Sequence, residues 1–326
     1  MVAYRRGQRL FHSWFYDLPQ FLAPGDLLVI NTSRTLPAAL PAQTRNGIRL
    51  ELHLSTHLPD GRWLVELRRP GHISSSPFLE GRAGMQILLP AGGTARLAAP
   101  FDRPALVHAP IQTPPGTRLW VAEVDLPGDL SAYLGKHGKP IRYSHARRAW
   151  PLSSYQTVYA GEPGSAEMPS AGRAFTSELI TRLVAGGIGV APIVLHTGVS
   201  SQEEGEPPYP EFYRVPTTTA RMVNATRDWE GRVVAVGTTV VRALETMADE
   251  EGRVGSGEGW TDLMVTPERG VRAVDGLLTG WHASQASHLL LLEAVGGRLL
   301  VEGSYRAALR DRYLWHEFGD LHLILP

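Results

Sequence analysis

Pro24-Gly25-Asp26-Leu27-Leu28-Val29-Ile30-Asn31-Thr32-Ser33-Arg34 reads as a turn, a strand and a second turn. Four consecutive apolar residues after a Pro-Gly turn suit a strand buried on both faces. The polar turn that follows stands at the strand's C-terminal end, where open α/β sheets bind their ligands. Two later stretches repeat the pattern: Ile193-Val194-Leu195 ends at His196-Thr197-Gly198, and Arg232-Val233-Val234-Ala235-Val236 ends at Gly237-Thr238-Thr239. After the last of these turns Val240, Val241, Leu244, Met247 and Ala248 recur on one side of a helix. Phe175, Leu179, Ile180, Leu183 and Val184 form another helical face, stopped by Gly186-Gly187. A further buried segment opens at residues 289–292.

Between these α/β stretches the texture changes. Trp63, Val65 and Leu67 alternate with Leu64, Glu66 and Arg68; Met85, Ile87 and Leu89 keep the same period, as do Trp120, Ala122, Val124 and Leu126. Period-2 runs separated by Pro and Gly predict a small all-β module at residues 60–148, with helical patterning nearly absent. The expected fold class is α/β, with one mixed domain built from both chain ends (residues 1–59 plus 149–326) and the β-module inserted into it.

Composition narrows the function. The 326 residues are ample for a sizeable core, and 32 Lys and Arg against 32 Asp and Glu remove the global charge signature of a strong nucleic-acid binder, though not a local basic patch. Without cysteine there is no disulfide, thiolate zinc site, iron–sulfur cluster or cysteine nucleophile. The first thirty residues carry Arg5, Arg6, Arg9 and Asp17 and lack a signal peptide's apolar stretch. No apolar run is long enough to span a membrane. The expectation is a cytoplasmic protein.

Among local features, the strand–Gly237-Thr238-Thr239–helix turn is the most mechanistic. Free N–H groups at a helix start favour a carboxylate or phosphate, and Arg242 adds a charge nearby; a capped structural helix fits the same residues. His196 has the residue type and position for proton transfer, or for a structural hydrogen bond. His282 and His288 stand too far apart around a helix to share a metal. His316-Glu317 opens like a zincin motif, but Asp320 stands where the second histidine belongs, so no metal site is expected. Between Asp129 and Glu162 there is no acid, while Lys136, Lys139, Arg142, Arg147 and Arg148 occur with His137, His145, Tyr133, Tyr143 and Trp150. Basic residues among aromatics suit RNA binding, or a solvated junction.

Several of these stretches line up with one family. Tyr16-Asp17-Leu18-Pro19, Gly25-Asp26-Leu27-Leu28-Val29, Tyr155-Gln156-Thr157-Val158-Tyr159-Ala160, Val236-Gly237-Thr238-Thr239, Arg242-Ala243-Leu244-Glu245 and Tyr305-Arg306-Ala307-Ala308 through Phe318-Gly319-Asp320 resemble, in order, the S-adenosylmethionine:tRNA ribosyltransferase-isomerase family of queuosine biosynthesis. The resemblance implies an inserted β-barrel and transfer of the ribosyl part of S-adenosylmethionine onto the aminomethyl group of a 7-deazaguanine in tRNA. Isomerisation then gives epoxyqueuosine, with release of adenine and methionine. S-adenosylmethionine is the co-substrate, tRNA the partner, and no metal or other cofactor is implied. By resemblance the catalytic candidates are His196, Glu211 and His282. The substrate-binding candidates are Asn31, Arg34, Tyr155, Gln156, Tyr159, Pro169, Ala171, Gly172, Phe175, Gly237, Thr238, Thr239, Arg242, Trp281 and Asp320. The basic set Lys136, Lys139, Arg142, Arg147 and Arg148 would meet RNA.

Departures fall inside the motifs. The family's Asn-Asp-Thr-Arg is Asn31-Thr32-Ser33-Arg34, and its Ala-Ala-Pro-Thr-Ala-Gly-Leu-His-Phe-Thr becomes Glu167-Met168-Pro169-Ser170-Ala171-Gly172-Arg173-Ala174-Phe175-Thr176. An acid and a histidine are lost. Two alternatives therefore stand beside the tRNA reading: a paralogue using S-adenosylmethionine or a related nucleoside on a small molecule, and a non-catalytic RNA-binding or interaction protein on the same scaffold.

Overall fold

The computed structural model describes residues 1–71, 75–101, 118–143, 146, 148–199, 209–283, 288–316 and 318–326. Its main body is a nine-stranded mixed sheet. In spatial order the strands are Gly257–Thr261, Glu211–Val215, Gly189–Leu195, Leu27–Asn31, Val233–Val236, Gly276–Gly280, Leu321–Leu325, Val2–Tyr4 and Arg9–Phe11. The four from Gly189–Leu195 to Gly276–Gly280 are mutually parallel.

The apolar run of residues 27–30 is continuous because both sheet faces are covered. Leu27 and Val29 join one core, with Val240, Val241 and Leu244 of the helix Thr238–Thr246 and Leu291, Leu292 and Val295 of the helix His288–Gly296. Leu28 and Ile30 join the opposite core, with Phe175 and with Leu179 and Leu183 of the helix Ser177–Ala185. Residues 233–236 divide in the same alternation. The sheet joins distant parts of the chain: Val2–Tyr4 runs parallel to Leu321–Leu325, with Val2 opposite Leu323.

The second body is a closed, six-stranded antiparallel barrel of Ala39–Thr44, Arg49–His57, Trp63–Arg69, Gln86–Leu88, Thr94–Pro100 and Leu119–Asp125. Closure comes from Leu119–Asp125, which pairs with both Thr94–Pro100 and Trp63–Arg69 and so leaves neither edge open. The short Ser76–Pro77 strand adds to Trp63–Arg69. The barrel thus takes in two strands that precede residue 60, the start of the β-module expected from sequence. Leu50, Leu52 and Leu54 already alternate into its core beside Leu64 and Leu67. The helix Leu130–His137 follows the last strand where no helix was expected, because the Asp129 side chain accepts from Ala132 N–H at 2.9 Å and caps it. Among the described residues no helix is long and apolar enough to cross a membrane.

Candidate active site

The four parallel strands end at one edge of the sheet, which brings Asn31, His196, Gly237 and the Trp281-His282 pair to the same side. Asn31 is 2% exposed. Its Nδ2 donates to the Leu195 carbonyl at 2.9 Å and to Thr239 Oγ1 at 3.2 Å. Its Oδ1 accepts from the N–H groups of Leu195 at 3.0 Å and Ser33 at 3.1 Å. Every donor and acceptor of the amide is used, so Asn31 ties two strand ends to a helix start and has nothing left for direct substrate contact.

His196 is held from several directions. Its Nδ1 lies 2.7 Å from Ser33 Oγ, and Ser33 Oγ lies 2.6 Å from Ser165 Oγ. Ser165 Oγ in turn accepts from Thr197 N–H at 3.0 Å. Phe212 stacks on the imidazole at 5.6 Å and 25°. Gly164 packs so closely that a Cβ there would come within 2.5 Å of ring atoms. The remaining nitrogen, Nε2, faces Glu162 Oε1 at 3.8 Å, and Glu162 is ion-paired with Arg214. Burial holds His196 below the usual histidine range, with Glu162 pulling up and Arg214 down. It is therefore neutral around pH 7.

Glu211 opens the antiparallel neighbour of His196's strand. One carboxylate oxygen accepts from Gly198 N–H at 2.9 Å and the other binds Arg242. Arg242 also donates to the carbonyls of Leu263 and Thr261, both at 3.1 Å. Each partner thus neutralises the other, and the pair clamps the helix Thr238–Thr246 to the sheet. Gly237, at φ +101°, turns the strand directly into that helix, a conformation L side chains rarely adopt. Gly237 has no side chain with which to cap the helix, so the N–H groups of Thr238 and Thr239 are presented to the strand-end edge. A Cβ on Gly237 would meet that of Ala171 at 3.5 Å, which puts the Ser170–Gly172 turn directly beside this helix start.

The segment from Tyr155 to Phe175 supports the edge more than it lines it. Gln156 pairs like a strand with the backbone of Thr35, accepting from its N–H at 3.1 Å and donating to its carbonyl at 2.8 Å. Thr35 Oγ1 donates to the Tyr155 carbonyl at 2.7 Å. Tyr155 and Phe175 are buried, Phe175 edge-on to Phe15 at 5.1 Å. Pro169 leads into the Ser170–Gly172 turn, where the Tyr159 hydroxyl leaves no room for a Cβ on Gly172. Burial pushes the Tyr159 phenol far above its usual range. Arg34, by contrast, is exposed.

Trp281 is 1% exposed and stacks on His322 at 4.6 Å and 7°. It is packed in an aromatic cluster with Tyr305, Tyr313 and Trp315. His282 is half-buried: Nε2 lies 2.9 Å from Thr279 Oγ1, the N–H donates to the Tyr305 hydroxyl at 3.2 Å, and the ring stacks on His288 at 4.6 Å, against the separation expected from helical spacing, because His282 precedes the helix His288–Gly296. Burial, then His288, His316 and His322, push its pKa well down. Asp320 accepts from Leu314 N–H at 2.7 Å and lines, with Met1, Trp14, Ala174 and Tyr313, a cavity of about 230 Å³. Of the basic set, Lys136, Lys139 and Arg148 are exposed and Arg142 is half-buried; Arg147 and His145 lie outside the described residues. The Arg148 guanidinium sits 3.6 Å over the Trp150 ring. Among the described residues no three His, Asp or Glu side chains converge as a metal set.

Residues 1–324 match the model of the queuosine biosynthesis protein family. The chain belongs to that family. The S-adenosylmethionine:tRNA ribosyltransferase-isomerases of Symbiobacterium thermophilum and Moorella thermoacetica are 38% and 36% identical to it, each covering all of this chain and 92% of their own length. The crystal structure of the S-adenosylmethionine tRNA ribosyltransferase from Thermotoga maritima is similar with a TM-score of 0.51 and 31% identity, over 100% of this chain and 91% of that one. In this queuosine biosynthesis family member the strand-end edge also gathers residues that sequence reasoning passed over: Ser33, Ser165, Glu162 and Arg214. Ser33 stood inside a turn already singled out, whereas the other three carried no local signal.

Proposed function

We propose that the protein is a cytoplasmic S-adenosylmethionine:tRNA ribosyltransferase-isomerase. It moves the ribosyl moiety of S-adenosylmethionine onto a 7-aminomethyl-7-deazaguanine in tRNA, forms epoxyqueuosine and releases adenine and methionine. The observation that carries this reading is the family match over residues 1–324, on a chain whose family-specific turns meet at one sheet edge. The chemistry asks three things of that edge. The methionine carboxylate needs N–H groups, which the uncapped start of the helix Thr238–Thr246 supplies. The sulfonium acidifies the adjoining ribose carbon, so a positioned group can remove a proton there. Departing adenine and the ribose oxygens need a hydrogen-bond donor, and the accessible edge of His196 is one. The exposed Lys136, Lys139 and Arg148 would meet the tRNA backbone.

Incubation with S-adenosylmethionine, with and without tRNA carrying the deazaguanine, followed by assay of adenine and methionine, tests the proposal. Release of both only when that tRNA is present is expected. Equal release without RNA would instead point to a small-molecule acceptor, and no release in either case would overturn the enzymatic reading. Affinity for tRNA should fall steeply with salt.

A further inference from the structure

We infer that a hydroxyl relay from Ser165 through Ser33 fixes His196 in the tautomer that carries its proton on Nε2, so that His196 serves the site as a hydrogen-bond donor and not as its general base. The inference rests on the proposed function only in taking the strand-end edge as the reaction site.

The available protons fix the direction of the relay. Ser165 Oγ already accepts from Thr197 N–H at 3.0 Å and its other neighbour is Ser33 Oγ at 2.6 Å. Ser165 is fully buried, so its own hydroxyl proton needs an acceptor, and Ser33 Oγ is the one within reach among the described residues. Having accepted from Ser165, Ser33 has its proton left to donate, and His196 Nδ1 lies 2.7 Å away. Nδ1 then holds a lone pair, and the neutral ring must carry its proton on Nε2. The reverse chain, running from Nδ1–H to Ser33 and on to Ser165, makes Ser165 accept twice and strands its buried hydroxyl proton.

The surroundings agree with that direction. Nε2 faces the Glu162 carboxylate at 3.8 Å, an acceptor that favours a proton there, while Arg214 holds Glu162 in place. Phe212 and Gly164 fix the plane of the ring, so the Nε2–H vector is set before any ligand arrives. The acceptor it fits is an uncharged oxygen or nitrogen of a nucleoside, such as a ribose oxygen or a purine ring nitrogen. With no lone pair on Nε2, the imidazole cannot remove a proton from the ribose, and Ser33 and Ser165 act as positioning residues.

Long-range proton–nitrogen spectra of histidine-labelled protein test this, with the His196 signals assigned by their loss in His196→Gln. Near neutral pH, Nδ1 should resonate in the unprotonated range and Nε2 in the protonated one. Ser165→Ala should raise the Nδ1–H fraction severalfold, and Ser33→Thr, which keeps a hydroxyl, should leave the wild-type tautomer. A wild-type ring protonated on Nδ1 would overturn the inference. Turnover gives a second readout: His196→Gln, which keeps an N–H near the Nε2 position, should retain at least tenfold more adenine release than His196→Leu. Equal loss in both would also overturn it. Because the spectra need no substrate, a protein inactive on S-adenosylmethionine would sink the proposed function while leaving the tautomer measured.

Discussion

His196 follows a central strand of the nine-stranded sheet and His322 lies within another strand of it, yet they are oriented by opposite means. Around His196 polar groups are paired: two serines, a backbone N–H and a carboxylate–guanidinium pair surround a ring whose edge stays accessible. His322 is fully buried, and neither ring nitrogen has a hydrogen-bond partner among the described residues. It is held by stacking on Trp281, which is itself packed by Tyr305, Tyr313 and Trp315. Hydrogen bonds set direction and leave a group addressable; aromatic packing sets position and leaves it inert. One region keeps a polar edge accessible and the other is shut.

The widest gap between the two regions should open in acid. Burial, with the Met1 amine adding to it, pushes His322 down to about 3. The unfolded chain takes up this proton below the ordinary value of 6.5, whereas the folded chain does not until about 3, so stability falls as pH drops through that window. The loss approaches about 5 kcal/mol at its lower end. His322→Phe should flatten that limb in urea denaturation, and an unchanged slope would contradict the assignment. Next in size is the ion pair that clamps the helix Thr238–Thr246 to the sheet: Arg242→Leu leaves the Glu211 carboxylate buried without its counter-charge, and should cost about 3–5 kcal/mol in the same measurement. A cost below about 1 kcal/mol would mean the pair is looser than its burial suggests.

Gly164→Ala separates orientation from stability. A Cβ within 2.5 Å of the imidazole must displace it. Adenine release should drop about a hundredfold, because a displacement near 1 Å has that effect on a positioned group. Full activity in this variant would show that the clamp around His196 is not needed. The smallest expected effect is that of Thr279→Val, which removes the hydroxyl 2.9 Å from His282 Nε2. It should cost about 1 kcal/mol of stability and leave adenine release near wild type. Abolished release at an unchanged melting temperature would move His282 from the packed region to the reacting one.

Sequence carried the strands well and the partnerships poorly. Residues 27–30 and 233–236 are apolar without a break because two helical layers cover the sheet, and that signal is local. The strand-end turns at residues 31–34, 196–198 and 237–239 follow from it. The barrel begins before residue 60 because Leu50, Leu52 and Leu54, alternating with Arg49, Glu51 and His53, form a strand that pairs with Trp63–Arg69, and sequence alone does not say which sheet such a strand joins. Ser165 and His196 stand 132 and 163 positions from Ser33, and nothing local in Gly164-Ser165 announces that its hydroxyl reaches Ser33. Trp281, a substrate candidate by resemblance, follows the strand Gly276–Gly280 and packs among Met1, Ala307 and Ala308, contacts that lie far from it in sequence.

The pairing of residues 2–4 with residues 321–325 sets an order of events during synthesis. The barrel's strands all lie between Ala39 and Asp125, so that body has all its strand partners while the ribosome is still working. The outer half of the large sheet must wait for the final strand, leaving the first residues as an unmatched edge through nearly all of translation. A stall late in the message would therefore release a chain with a finished barrel and an adhesive, half-built sheet.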